Sequence, residues 1–307
     1  MNPYYYYPDD RRANLTLKKT TQHWVHCLVD IPDVHSTRYP EYNTVRGEYY
    51  QPQGVTDAPL IILIHGMGDQ SVIPCQFLAR HLVKKGMACF ILYLVFHSSR
   101  LPGAIKSRLP LLTAEEWFEG YQLSVIDIRQ VIDWASRRTE INKEQIATFG
   151  ISLGGFVSAI AMGIDKRIKA GVFVVTGGNS EKMNWLSKAN AYRYQRAEVE
   201  YRQIQHRYTE YLAAVAEKGF ENVTPARQSF LTDPMTFAPY LRQRPVLMLN
   251  ARWDKYIPRE AVQDFWQACG QPPIKWFPSG HASIWLWYPV ISHKIADFLT
   301  STFGMTI

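Results

Sequence analysis

Apolar residues along the chain fall into two kinds of pattern, and the two alternate. Short continuous runs such as Leu60-Ile61-Ile62-Leu63-Ile64 are too brief for a helix. They fit strands buried on both faces of a parallel sheet. Similar runs at 88–95, 146–149, 170–175 and 246–249 predict further buried strands, with two earlier strands at 23–31 and 45–51 and a final one at 274–277. Between them lie helical spacings. One helix is expected near 72–85, beginning close to Pro74, and another over about 113–138, where Trp117, Tyr121, Val125, Ile128 and Ile132 recur near one face. Thr113 and Glu116 have the spacing of a capping box at the start of the second. Strands and helices of these lengths in alternation imply an α/β fold, a mostly parallel sheet flanked by helices on both sides.

One stretch breaks the alternation. Residues 179–225 hold no strand candidate, while Tyr201, Ile204, Tyr208, Tyr211, Leu212 and Val215 recur at helical spacing among charged neighbours. The reading is a helical cap, or lid, inserted after the sixth of these strands, its aromatic face turned to the body or to the active site. Domain limits follow: a polar, tyrosine-rich arm over residues 1–22 lying on the surface, a core of 23–178 and 226–307, and the cap of 179–225.

The segment Gly150-Ile151-Ser152-Leu153-Gly154-Gly155 lies between the strand at 146–149 and a helical run beginning at Phe156. Small residues there permit a tight strand-to-helix turn that exposes a serine in a strained conformation above a helix amino terminus. Alone, the same pattern fits a glycine-rich turn whose serine merely caps the helix. His65-Gly66-Met67-Gly68, at the end of an earlier buried strand, argues for the chemical reading. It is the place from which a backbone donor to a tetrahedral oxyanion must come, the second donor being the residue after the nucleophile. Met67 and Leu153 are the expected donors, and the side chain of His65 is expected to be structural.

Two more groups complete a triad in chain order. Asp254 follows the strand at 246–249 and precedes a helix start, and His281 leaves the end of the final strand in Pro278-Ser279-Gly280-His281. In this arrangement Ser152 is the nucleophile, His281 the general base and Asp254 the acid that orients the base. Asp233, before Pro234, is the reserve acid and otherwise a helix start. Asp69 shapes the pocket beside the oxyanion loop or caps the next helix. His23, His26 and Cys27 do not make a metal site, because a strand points His26 away from the other two and no second ligand pair accompanies them.

Composition narrows the class without changing it. With 307 residues, 47% hydrophobic and 20% charged, the chain fits one large globular domain with an insertion. Cys27, Cys75, Cys89 and Cys269 are widely spaced and read as free thiols of a reducing compartment. Lys and Arg number 34 against 27 Asp and Glu, but the excess is dispersed, so no nucleic-acid partner is expected. No apolar run approaches the roughly 18 residues of a membrane span. The amino terminus lacks the basic and apolar regions of a signal peptide, which leads to a cytoplasmic expectation.

These residues resemble the α/β-hydrolase superfamily from about residue 45 onward. Within it, Asp233-Pro234-Met235-Thr236-Phe237-Ala238-Pro239, then Arg244-Pro245-Val246-Leu247 and Asp254-Lys255-Tyr256-Ile257-Pro258, are similar to bacterial carboxylesterases and dienelactone-hydrolase-like proteins. True dienelactone hydrolase has a cysteine where this chain has Ser152, so that activity is not carried over. The resemblance implies a serine hydrolase of small-molecule esters with short to medium acyl chains and no cofactor. Thioesterase, acyltransferase and peptidase activities share the acyl-enzyme and stay open, as does a noncatalytic binding protein on the same fold. For the pocket, Trp285 and Trp287, with Trp117 and the cap tyrosines, form either an aromatic wall or core. Arg100, on a loop after a strand end, either binds an anionic substrate group or is solvated.

Overall fold

The continuous apolar runs become the interior of a sheet, because a strand covered by helices on both faces has no polar side to show. The computed structural model describes residues 2–8, 12–35, 37–189 and 197–305. Among them are nine strands: β1 (Asn14–Thr20), β2 (Trp24–Pro32), β3 (Thr44–Pro52), β4 (Ala58–Ile64), β5 (Ala88–Tyr93), β6 (Ile141–Ile151), β7 (Ile168–Val174), β8 (Val246–Ala251) and β9 (Ile274–Phe277). They form one sheet in the order β1-β2-β3-β5-β4-β6-β7-β8-β9. The pairs from β5 to β9 are parallel, and β1, β2 and β3 add antiparallel strands at one edge.

Helices α1 (Val72–Val83), α2 (Gly103–Lys106), α3 (Ala114–Ala135), α4 (Leu153–Ile164), α5 (Ser180–Leu186), α6 (Glu198–Lys218), α7 (Pro234–Phe237) and α8 (Arg259–Ala268) connect the strands, and α9 (Tyr288–Phe303) follows β9. Every residue of β4 is buried, and its side chains alternate between two cores. Leu60, Ile62 and Ile64 pack with residues of α3, α4 and α8, whereas Ile61 and Leu63 pack with residues of α1 and α9. The capping box expected at α3 is formed: Thr113 accepts from the Glu116 N–H and the Glu116 carboxylate accepts from the Thr113 N–H. The four cysteines are free, with Cys75, Cys89 and Cys269 buried and Cys27 half-buried. No described helix is long and apolar enough to cross a membrane.

The tyrosine-rich amino terminus differs from the surface arm expected for residues 1–22. Tyr4 is fully buried, its hydroxyl donating to the Leu231 carbonyl at 2.7 Å, and the Arg129 guanidinium holds the Tyr4 carbonyl at 2.6 Å. Residues 14–20 then form β1, exposed along its whole length, so its side chains carry no burial signal that a sequence pattern could report. Residues 1 and 9–11 of the arm lie outside the described residues.

In the segment expected as a cap, α6 buries Ile204, Tyr208, Tyr211 and Val215, a spacing of four, three and four that keeps them on one face. That face closes on the body: the Tyr208 and Tyr211 rings lie 4.5 and 5.3 Å from the ring of Phe230. Residues 190–196 of the expected cap lie outside the described residues. The insertion follows β7, one strand later than expected, because β1 was not foreseen.

Candidate active site

The elbow is built by backbone approach. Ser152 sits between β6 and α4 at φ 51° and ψ −116°, a conformation costly for a residue with a Cβ, and its N–H donates to the Val174 carbonyl at 2.9 Å. A Cβ at Gly154 would come within 2.3 Å of the Ile64 carbonyl oxygen, so only glycine lets α4 begin this close to the end of β4. The strain holds Ser152 at the carboxyl ends of the central strands, with the first turn of a helix behind it.

Three side chains meet there. The Ser152 hydroxyl donates to His281 Nε2 at 3.0 Å, and His281 Nδ1–H donates to Asp254 Oδ2 at 2.6 Å. The other carboxylate oxygen of Asp254 accepts the N–H groups of Tyr256 and Ile257 at 2.8 and 3.0 Å. Two backbone donors therefore fix the carboxylate, and the carboxylate fixes which imidazole nitrogen carries the proton. The Tyr256 ring lies 5.1 Å from the imidazole.

Met67 and Leu153 line one cavity of about 330 Å³ together with Ser152. Leu153 is the first residue of α4, where a helix leaves its N–H groups without intrahelical acceptors. The turn carrying Met67 is held from behind. His65 is fully buried; its Nε2 accepts from the Leu94 N–H at 3.1 Å, which leaves Nδ1–H to donate to the Gly66 carbonyl at 2.6 Å. Gly68 takes φ 85°, and the Ser71 hydroxyl donates back to the carbonyl of Gly68. The side chain of Asp69 lies outside the described residues.

Other candidates sit elsewhere. Arg100 neither reaches the cavity nor faces solvent. It is 1% exposed, ion-paired to Asp127 and hydrogen-bonded to the carbonyls of Tyr93 and Tyr42 at 2.9 and 3.3 Å. Burial pushes the Asp127 carboxyl up to about 7, with Arg100 opposing and Asp33 adding to the rise. Trp285 packs against the core on the α1 and α9 side, and Trp287 against Phe277, so neither forms the cavity wall. Among the described residues that wall is made by Trp117, Tyr121, Phe156, Met183 and Ile257, with Asn184 as a polar member. Tyr121 shares the helix face of Trp117 one turn on, and Met183 belongs to α5. Asp233 is not the partner of His281. It accepts the N–H groups of Asn179 and Met235 at 3.0 and 2.9 Å, and that of Ser180, joining the starts of α5 and α7. Burial raises its carboxyl above the usual range, against the pull of those N–H groups.

The family model described as Alpha/beta hydrolase domain containing 18 matches residues 36–300. No curated protein matches the sequence. Among solved structures the chain is similar to an acetyl xylan esterase from Paenibacillus sp. R4, with TM-score 0.65 and 17% identity, covering 96% of this chain and 90% of that one. Acetyl xylan esterase 1 from Thermoanaerobacterium sp. JW/SL YS485 gives TM-score 0.61 and 14% identity, covering 94% and 89%. A cold-adapted esterase from an Arctic intertidal metagenomic library gives TM-score 0.59 and 15% identity, covering 91% and 96%. At these identities the likeness is one of fold.

Proposed function

The chain belongs to the family described as Alpha/beta hydrolase domain containing 18, and from that premise we propose that it is a serine hydrolase cleaving carboxylic esters of short to medium acids. The observation that carries this reading is the relay of Ser152, His281 and Asp254, with contacts of 3.0 and 2.6 Å and a carboxylate locked by two backbone N–H groups.

In the proposed reaction His281 Nε2 takes the Ser152 proton as Oγ attacks the ester carbonyl carbon. The charge that forms on the carbonyl oxygen is met by the N–H groups of Met67 and Leu153, donors that need no reorganisation at that moment. Collapse of the tetrahedral intermediate breaks the carbon–oxygen bond to the alcohol, whose oxygen takes the proton from Nε2. Water, activated by the same imidazole, then releases the acid from the acyl-enzyme. Asp254 stabilises the imidazolium without itself taking a proton. A cavity of about 330 Å³ with mostly apolar walls supports the limit on acyl size.

A fluorophosphonate probe should label the wild-type protein and not Ser152→Ala. The variant should melt cooperatively and lose about a thousandfold or more in kcat on p-nitrophenyl acetate or butyrate. Near-wild-type turnover by the folded variant would refute the assignment. A thioester and a peptide amide in the same assay would decide the reaction class, and slower turnover of the ester than of either would replace the esterase reading.

A further inference from the structure

Two cavities meet at the triad. The first, already described, holds Ser152, Met67 and Leu153. The second, of about 310 Å³, lies against His281 and is lined by Trp253, Lys255, Tyr256, Gly280, Ala282 and Ser283. Among the described residues Tyr256 is the one that lines both.

Resting on the serine-hydrolase reading, we propose that the second cavity is the leaving-group subsite, that Tyr256 is the partition between the acid and alcohol halves of the ester, and that Tyr256 and Trp253 select alcohols that carry a ring. The chemistry assigns the two halves. The carbonyl oxygen must face Met67 and Leu153, which puts the acyl chain in the first cavity. The oxygen of the bond that breaks must face His281 Nε2, because it takes the proton from that atom as the bond from carbon to alcohol opens. The alcohol therefore lies on the histidine side of the serine, where the second cavity opens.

The surface there is built for a ring. Trp253 is 65% and Tyr256 60% exposed, so two large aromatic side chains are left in water directly beside the triad. Exposed rings offer stacking faces to an aromatic ring or to the C–H face of a saturated one. Their backbone is held in place. The Trp253 N–H donates to the Ser279 carbonyl at 2.9 Å, tying its strand end to the loop of His281. The Lys255 carbonyl accepts from the Ser187 hydroxyl at 2.9 Å and the Ala189 N–H at 3.1 Å, tying the same loop to the cap. A platform held from both sides loses little freedom when a ligand stacks on it.

The test uses esters of one acid and several alcohols: ethyl, cyclohexyl and 2-naphthyl acetate and an acetylated methyl glycoside. For wild type, Tyr256→Ala, Tyr256→Phe and Trp253→Ala, kcat/KM on each ring ester is divided by that on ethyl acetate. A loss that falls equally on all four esters cancels in this ratio, and cyclohexyl acetate, whose alcohol is as basic as ethanol, separates stacking from leaving-group ability. Both alanine variants should lower the ratio about tenfold for at least one ring class, and Tyr256→Phe should keep it. The ring class with the larger fall identifies the alcohol as aryl or saturated. An unchanged ratio in both alanine variants, or equal losses on ethyl acetate and the ring esters, would overturn the proposal. Failure of the unmutated protein to take a fluorophosphonate label would remove the serine-hydrolase reading itself, an outcome visible before any variant is made.

Discussion

Asp254 and Asp233 both follow the pattern of a carboxylate gathering backbone N–H groups, and what separates them is the imidazole that faces only the first. Asp254 spends one oxygen on Tyr256 and Ile257 and presents the other to His281 at 2.6 Å, whereas Asp233 spends both on Asn179, Ser180 and Met235. Replacement of Asp254 by Asn should leave the fold intact but admit the wrong imidazole tautomer, lowering kcat by about 10⁴. Asp233→Asn should leave kcat within about tenfold of wild type and act on stability. An amide turns an NH₂ toward a backbone N–H and leaves that donor unsatisfied, at about 1–3 kcal/mol. Steady-state kinetics and thermal melts of the two variants check this, and a larger kinetic loss in Asp233→Asn would reassign the acid. That Ser152, Asp254 and His281 come together was legible because each stands at a strand end in a short local pattern. Arg100 was not: its partner Asp127 is far along the chain, and no local pattern reports a buried ion pair.

At the scale of elements, the helical character of the stretch between β7 and β8 was legible, but not how its helices divide their work. The aromatic periodicity of α6 announced a buried face and left open whether the body or the active site covers it; Phe230, in the body, lies against Tyr208 and Tyr211. The cavity wall comes instead from α5 and the turn beyond it, through Met183, Asn184 and Ser187. Seven residues form α5, too few for a readable period, and its start depends on Asn179 in the left-handed region, capped by its own side chain. The two helices touch through the Trp185 and Tyr201 rings, stacked at 4.8 Å. Their variants should therefore separate. Met183→Ala should widen the acyl cavity and move the preferred chain length upward with little change in melting temperature. Tyr208→Ala should cost about 3–5 kcal/mol as a large aromatic lost from a packed site while leaving the chain-length profile as it is. A p-nitrophenyl ester series and melts of both variants test the division. A shifted profile in Tyr208→Ala alone would make α6 the wall.

Across the whole molecule, the parallel half of the sheet was readable from its apolar runs, while the join between that half and the antiparallel edge was not, because a polar cluster makes it. Glu48 on β3 is buried and accepts from Gln76 on α1 at 2.7 Å, Tyr93 on β5 at 2.6 Å and Tyr50 on its own strand at 2.8 Å. His26 Nε2 on β2 lies 2.9 Å from Oε2, the oxygen that accepts from Tyr50. One carboxylate thus links two strands of the antiparallel edge to the first strand and helix of the parallel half. Burial alone would raise its pKa, but the hydrogen bonds from His26, Tyr93, Gln76 and Tyr50 outweigh burial and hold it down, from 4.5 to about 2. A folded-state pKa below the unfolded one gives stability that is present above the unfolded value and is lost as pH falls through the folded value. Wild type should therefore lose this contribution between about pH 4.5 and pH 2. Glu48→Gln keeps the shape but not the charge, so it should be less stable than wild type at neutral pH, and the gap should close over that window. Denaturant midpoints of the two proteins at matched pH measure the gap directly, because the other carboxylates contribute to both and cancel in the difference. A gap that stayed constant from pH 7 to pH 2 would mean that Glu48 joins the two halves by its shape alone and not by its charge.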